Sequence, residues 1–262
     1  LYIRFNNNRP EAQRHFLKTI EYARVMENRS MQSAALVQLG GQLAYEEPAK
    51  AKIYLEEALS IKRTLGEERS IAIALDYLAD TCMRLGDQAQ AQPYLTEAYT
   101  LWQKIGDPYN LVSNLLLQSQ SSLLALDWPG ATQKLDEAQS ICENQADWEG
   151  VVLCELGRWE LAFHNGNDQA LTAIHQRIDD ILPKTPAYQR GSVACYRAAW
   201  LYKQRRAQEA LDLLMDCKAR MEPDTWRPIH QRYLSIYQTA CETGSYGPLP
   251  IEENPLDRPD GF

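Results

Sequence analysis

The sequence predicts an all-α protein, a right-handed α–α superhelix of about five helix hairpins closed by a C-terminal capping helix. Three observations predict it: an internal repeat of forty residues, apolar side chains at helical spacing, and no sustained two-residue alternation of the kind strands show. The repeat appears as alanines at 51, 91, 131, 170 and 210, spaced 40, 40, 39 and 40 residues apart. Four residues after each comes a large aliphatic: Leu55, Leu95, Leu135, Ile174 and Leu214. Three further on, the first three copies carry Ala58, Ala98 and Ala138, and the later two relax to Arg177 and Cys217. The same register reaches back to Ala12 and Phe16.

Each block reads as two helices. Residues 10–27 form the second helix of a leading half-repeat (1–30), with Pro10 suited to a first turn. Hairpins follow at about 31–70, 71–110, 111–150, 151–190 and 191–222. In the second, Ile71, Leu75, Leu78, Cys82 and Leu85 fall at i, i+4, i+7, i+11 and i+14, one face of a helix. Gly86-Asp87 ends that helix, and Ala91, Leu95, Ala98 and Leu101 carry the next stripe. Gly106-Asp107-Pro108 then breaks the chain as Gly66-Glu67 does forty residues earlier, the proline forbidding continuation. The block 151–190 fits the pattern poorly in both helices. Residues 225–243 read as the cap, with Trp226, Ile229, Tyr233, Ile236, Tyr237 and Ala240 on one side and Gly244 at the end. The tail 245–262, with Pro248, Pro250, Pro255 and Pro259, is expected to be extended.

The residue choice has a steric reason. Two antiparallel helices joined by a short turn approach closely only where a small side chain sits at the crossing, hence the recurring alanine. The large residue one turn later fills the groove toward the next hairpin. One hairpin cannot bury its apolar face alone, whereas a stack shares a continuous core.

Composition narrows the function. The 262 residues carry 27 basic and 35 acidic side chains, a net charge of −8, which argues against generic nucleic-acid binding and against docking on anionic lipid. No run approaches the ~18 apolar residues of a membrane span. Six cysteines, at 82, 142, 154, 195, 217 and 241, form no CxxC pair; they fall in apolar stretches, and a reducing cytoplasm is the simplest compartment. His15, His164, His175 and His230 are scattered, so no metal site is expected. The chain opens on Leu1 rather than Met, and Leu1-Tyr2-Ile3-Arg4-Phe5 is too short for a signal sequence; a piece of a longer protein is the expectation.

These residues together resemble a tetratricopeptide repeat array. The family's small, large and second small positions match Ala51, Leu55 and Ala58, and their counterparts forty residues on. Leu36, Leu39, Gly40 and Leu43, then Leu75, Leu78, Ala79 and Cys82, resemble its W-x2-L-G-x2-Y segment, without the leading Trp. The resemblance covers roughly residues 9–221. A forty-residue period with a long second helix is similar to arrays in large bacterial signalling proteins, namely STAND-type ATPase regulators and LuxR- or SARP-type transcription activators, where the array is a sensor or interaction arm.

No phosphate-binding glycine loop, GxSxG, HExxH or DxDxDG motif occurs, and neither catalytic residues nor a cofactor are expected. Gly40-Gly41 reads as close helix packing, because Gly40 holds the repeat's small position. The resemblance implies a concave groove lined by first helices, binding a protein or peptide. Phasing on the second block puts Ile73, Asp76, Asp80 and Arg84 there, with Leu116, Gln120 and Leu123 in the third and Cys195, Ala199 and Tyr202 in the fifth; Arg158 is taken from the degenerate fourth. The implied role is a protein- or peptide-binding arm of a signalling protein. Two other readings stay open: the regulatory part of a nucleotide-dependent switch or enzyme whose catalytic half lies outside this chain, and an architectural module that self-associates.

Overall fold

The structure, a computed structural model, describes residues 9–186, 189–221 and 228–253. Among them the regular elements are all helical. They are α1 (Arg9–Val25), α2 (Arg29–Leu43), α3 (Pro48–Leu65), α4 (Glu68–Arg84), α5 (Gln88–Ile105), α6 (Pro108–Leu124) and α7 (Trp128–Asn144). Then come α8 (Trp148–His164), α9 (Asp168–Ile181) with a 3₁₀ turn (Leu182–Lys184), α10 (Gln189–Lys203), α11 (Ala207–Arg220), α12 (Pro228–Thr243) and α13 (Pro250–Glu253). The chain forms two compact units, Leu1–Ile141 and Cys142–Phe262. Within each, consecutive helices pack as hairpins and first helices touch first helices: α2 on α4 and α4 on α6 in one unit, α8 on α10 and α10 on α12 in the other.

Local chemistry explains the boundaries. A left-handed residue ends a helix at positions 66, 86, 106, 126, 146 and 166, one every twenty residues. An acidic or amide residue follows each, and in five cases it is an N-cap that accepts from the backbone three residues on: Asp87, Asp107, Asp127, Asp147 and Asn167. Glycine supplies the left-handed backbone at four of the six; Leu126 (φ 59°) and Ala146 (φ 52°) adopt it with a side chain attached.

The core is built on the expected positions in four hairpins, Ala210 and Leu214 of the fifth included, and displaced in the one from 151 to 190. Ala51, Ala91 and Ala131 are fully buried, as are Leu55, Leu95, Ala58, Ala98 and Ala138. Gly40 packs closely as expected, since a Cβ there would lie 2.5 Å from Leu55 Cγ. In the fourth hairpin the register expected from Ala170 is corrected by one residue. Asn167 caps α9, so Leu171 becomes its fourth residue, the position Ala51, Ala91 and Ala131 hold in their helices. Ala170 is half-buried instead, Leu171, His175 and Ile178 face the core, and Arg177 turns outward onto Glu155. Exposed ion pairs track the register between second helices: Arg24 grips Glu57 (2.8 and 3.0 Å) and Arg63 grips Glu97 (2.8 and 2.7 Å).

The expected cap is present as α12, with Tyr233, Tyr237 and Ala240 buried against α10 and α11. The tail departs from expectation in part: Leu249 and Ile251 are fully buried and residues 250–253 make a helical turn, whereas Ser245, Gly247 and Pro248 are exposed and irregular. Proline at the first helical position explains how residues 250–253 turn helical. Trp226, Pro255, Pro259 and residues 1–8 lie outside the described residues.

Two measurements check this account. Leu126→Gly removes a left-handed strain of about 1–2 kcal/mol against a glycine entropy cost of about 0.5–1, and should raise stability by about 0.5–1 kcal/mol in urea melts. Ala91→Glu forces a carboxylate into the packed crossing; overpacking alone costs about 1–3 kcal/mol, so its melting temperature should fall by several degrees or more.

Candidate functional site

In the first unit the row of first helices offers one open face. Ala34 and Gln38 on α2 are exposed, and Ile73 on α4 is half-buried beside them. They line a cleft of about 360 Å³ together with Phe16 and Thr19 of α1, Met31, and the buried Lys62 at its side. Lys62 is held by Glu67 at 3.0 Å. Further along the row, Gly41 leaves room for the Tyr77 ring, which would sit 3.0 Å from a Cβ placed there. Arg84 then lies 5.3 Å over the exposed ring of Tyr45. The residues expected on this face therefore divide. Ile73 opens on the cleft, whereas Asp80 and Arg84 form a shielded pair, Arg84 Nε donating to Asp80 Oδ2 at 3.0 Å with side chains 15% and 8% exposed.

Asp76 is a correction. Its carboxylate points between helices rather than into a groove, accepting from Trp102 Nε1 of α5 (2.7 Å) and Asn114 Nδ2 of α6 (2.6 Å). Gln118 Nε2 extends the chain by donating to Asn114 Oδ1 at 2.6 Å. Burial outweighs these two donors and pushes the Asp76 pKa up to about 7. Leu116 and Gln120 are corrections too: they are 3% and 4% exposed, and Leu123 is buried with them. The signal that marks α6 as interior is in its sequence, seventeen residues without one charged side chain.

The second unit places its expected residues just as differently. Arg158 lies 3.6 Å from the buried Glu155, which Arg177 grips with two nitrogens. Cys195 and Ala199 are buried, and Tyr202, 2% exposed, donates its hydroxyl to the Gly247 carbonyl at 3.1 Å. The chain's own tail returns over Tyr202, whose ring lies 4.8 Å from that of Tyr246. Sequence reasoning missed the aromatic cluster of this unit. Trp159 stacks on Phe163 (4.7 Å between centroids) and meets Tyr196 edge-on (4.9 Å). Its indole donates to His175 Nε2 at 3.2 Å. Burial, and then the charge of Arg197, push the His175 pKa down to about 4. The signal was available: Trp159 is the twelfth residue of α8, where α2, α4 and α6 carry Gly40, Ala79 and Ser119.

Chemically these arrangements are packing and recognition features. Among the described residues no three His, Cys, Asp or Glu side chains converge as a metal site, and no helix is long and apolar enough to cross a membrane. No family model matches the chain, and a search of curated proteins returns no match.

The raised pKa of Asp76 gives a pH dependence of known sign. Between its ordinary value of 3.8 and about 7 the folded chain holds a proton that the unfolded chain has lost, so this residue lowers stability as pH rises through that window. The full span is worth on the order of 4 kcal/mol. Urea melts from pH 4 to 7.5 should show Asp76→Asn gaining on the wild type as pH rises, by about 1–4 kcal/mol. A pH-independent difference would mean that the carboxylate is well hydrated.

Proposed function

We propose that this chain is a protein- or peptide-binding scaffold built on the tetratricopeptide plan, the interaction arm of a larger signalling or regulatory protein. One observation carries the reading: α1, α2 and α4 of the first unit keep a cleft of about 360 Å³ open between Phe16, Ala34, Gln38 and Ile73. That volume is at the low end for ligand pockets, about 300–1,000 Å³, and suits one or two apolar side chains of a partner segment. The polar atoms of Thr19, Gln38 and Ser70 lie beside it to fix a backbone. The net charge of −8 disfavours a nucleic-acid partner. Six free cysteines, four of them buried, support a reducing compartment such as the cytoplasm.

The test fills the cleft without touching the core. Ala34 is exposed, so Ala34→Trp should change stability by no more than about 0.5 kcal/mol. Random twelve-residue peptides selected on the wild-type chain should carry an apolar anchor and lose tenfold or more in affinity, about 1.4 kcal/mol, for Ala34→Trp. Selected peptides that bind both chains equally would place recognition elsewhere.

A further inference from the structure

The second unit contains a ligand already seated: the chain's own residues 246–252. Tyr246 lies against Tyr202 of α10, 4.8 Å between centroids, with the Arg205 guanidinium 4.5 Å from its ring centroid. Its hydroxyl donates to the Arg205 carbonyl at 2.8 Å and accepts from the Ala207 backbone at 3.3 Å. Tyr202 in turn donates to the Gly247 carbonyl. Leu249 and Ile251 are fully buried, and Glu252 pairs with Lys203 at the end of α10. The segment is thus read through four side chains of fixed chemistry (aromatic, aliphatic, aliphatic, acidic), separated by Gly247-Pro248 and Pro250. Prolines restrict the free segment, which lowers the entropy lost on seating.

The seat and its occupant are not fully matched. Tyr237, whose ring lies 5.1 Å from that of Tyr202, has its hydroxyl enclosed without a hydrogen-bond partner. His164 Nε2, in the field of Glu252 and Lys203, is likewise enclosed and unpartnered. Tethering explains why an imperfect occupant stays: a segment joined directly after Gly244 acts at an effective concentration of about millimolar. Gly244 itself is left-handed (φ 69°) and turns the chain out of α12 into the segment. We infer that the end of α10 and the turn into α11, beside Tyr237 of α12, are a docking surface for an aromatic–Gly–Pro–aliphatic–Pro–aliphatic–acidic segment of another protein, which the chain's own residues 246–252 occupy until they are displaced. This stands on the second unit alone, so it survives or fails independently of the cleft between α1, α2 and α4.

The probe is a labelled ten-residue peptide with the sequence of residues 244–253. Wild-type chain should bind it weakly, because the tethered copy competes at about millimolar concentration. The full chain carrying Leu249→Ser and Ile251→Ser, checked for retained helical circular dichroism, should bind at least tenfold tighter, and a peptide with the tyrosine replaced by alanine should lose that gain. A folded double variant that binds no better than wild type overturns the inference. Should the double variant not fold, hydrogen exchange on the wild type decides. Faster exchange confined to residues 245–253 with millimolar peptide supports displacement, and unchanged exchange there makes the tail a permanent part of the fold. A wild-type dimer in sedimentation that dissociates when the double substitution is made would overturn it in favour of segment exchange between two copies.

Discussion

The hairpins depend on how closely two helices approach at one point. On the first helix that point is Gly40, Ala79, Ser119 or Ala198, and on the second Ala51, Ala91, Ala131 or Ala210, all of them buried. With a methyl group or less on most of these positions, the large residue one turn later can reach across, as Leu55 does to within 2.5 Å of where a Gly40 Cβ would stand. The fourth hairpin has Trp159 and Leu171 at the two positions instead. Two bulky side chains cannot occupy a gap made for two methyl groups, so the packing is rebuilt. Trp159 gathers Phe163, Tyr196 and His175 around it, and the buried position of Leu36, Leu75 and Leu115 is taken by Glu155. A buried carboxylate is tolerable there only because Arg177 grips it and Arg158 lies nearby.

The turns hold that geometry in phase. A left-handed residue followed by an acidic or amide residue recurs every twenty positions from 66 to 166, so each helix starts and stops at the same rotation relative to its neighbours. The chemistry is local and thus legible: the expected hairpins begin within a few residues of the observed helices, and Gly66, Gly86 and Gly106 mark turns that the sequence alone reveals. Leu126 and Ala146 are harder to read, since nothing in a leucine or an alanine announces a left-handed backbone. What identifies them is the capping aspartate that follows each, Asp127 and Asp147. The same rule would have corrected the fourth hairpin, where counting from Asn167 gives Leu171 and composition alone suggested Ala170.

The site was less legible than the fold, because a helical phase says which side chains share a face and not what covers it. Ile73 is assigned to the groove by phase alone, and it lines the cleft beside α2. Asp76 lies three residues away, enough to rotate its carboxylate under Trp102. Leu116 and Gln120 lie on a face that burial closes, and only the missing charges of α6 could have warned of it. Tyr202 was placed correctly on its helix and is covered by residues more than forty positions later, a contact that no periodicity encodes.

The polar contacts between hairpins carry information that the apolar core does not. One repeat position holds Lys62, Trp102 and Cys142 in turn, forty residues apart, and all three are buried. Lys62 reaches Glu67 in the turn before α4, whereas Trp102 reaches Asp76 within α4, and Asn114 ties that same carboxylate to α6. The alanines and leucines of one hairpin would pack nearly as well against any other. A buried donor or acceptor, by contrast, costs about 1–3 kcal/mol when its partner is missing. Trp102 and Asp76 belong to one hairpin and move together, so shifting the array by one hairpin would cost Asp76 the donor it takes from the next hairpin, Asn114. The apolar repeat therefore makes stacking favourable, and the non-repeating Asp76–Asn114 pair between α4 and α6 favours the observed order of the second and third hairpins.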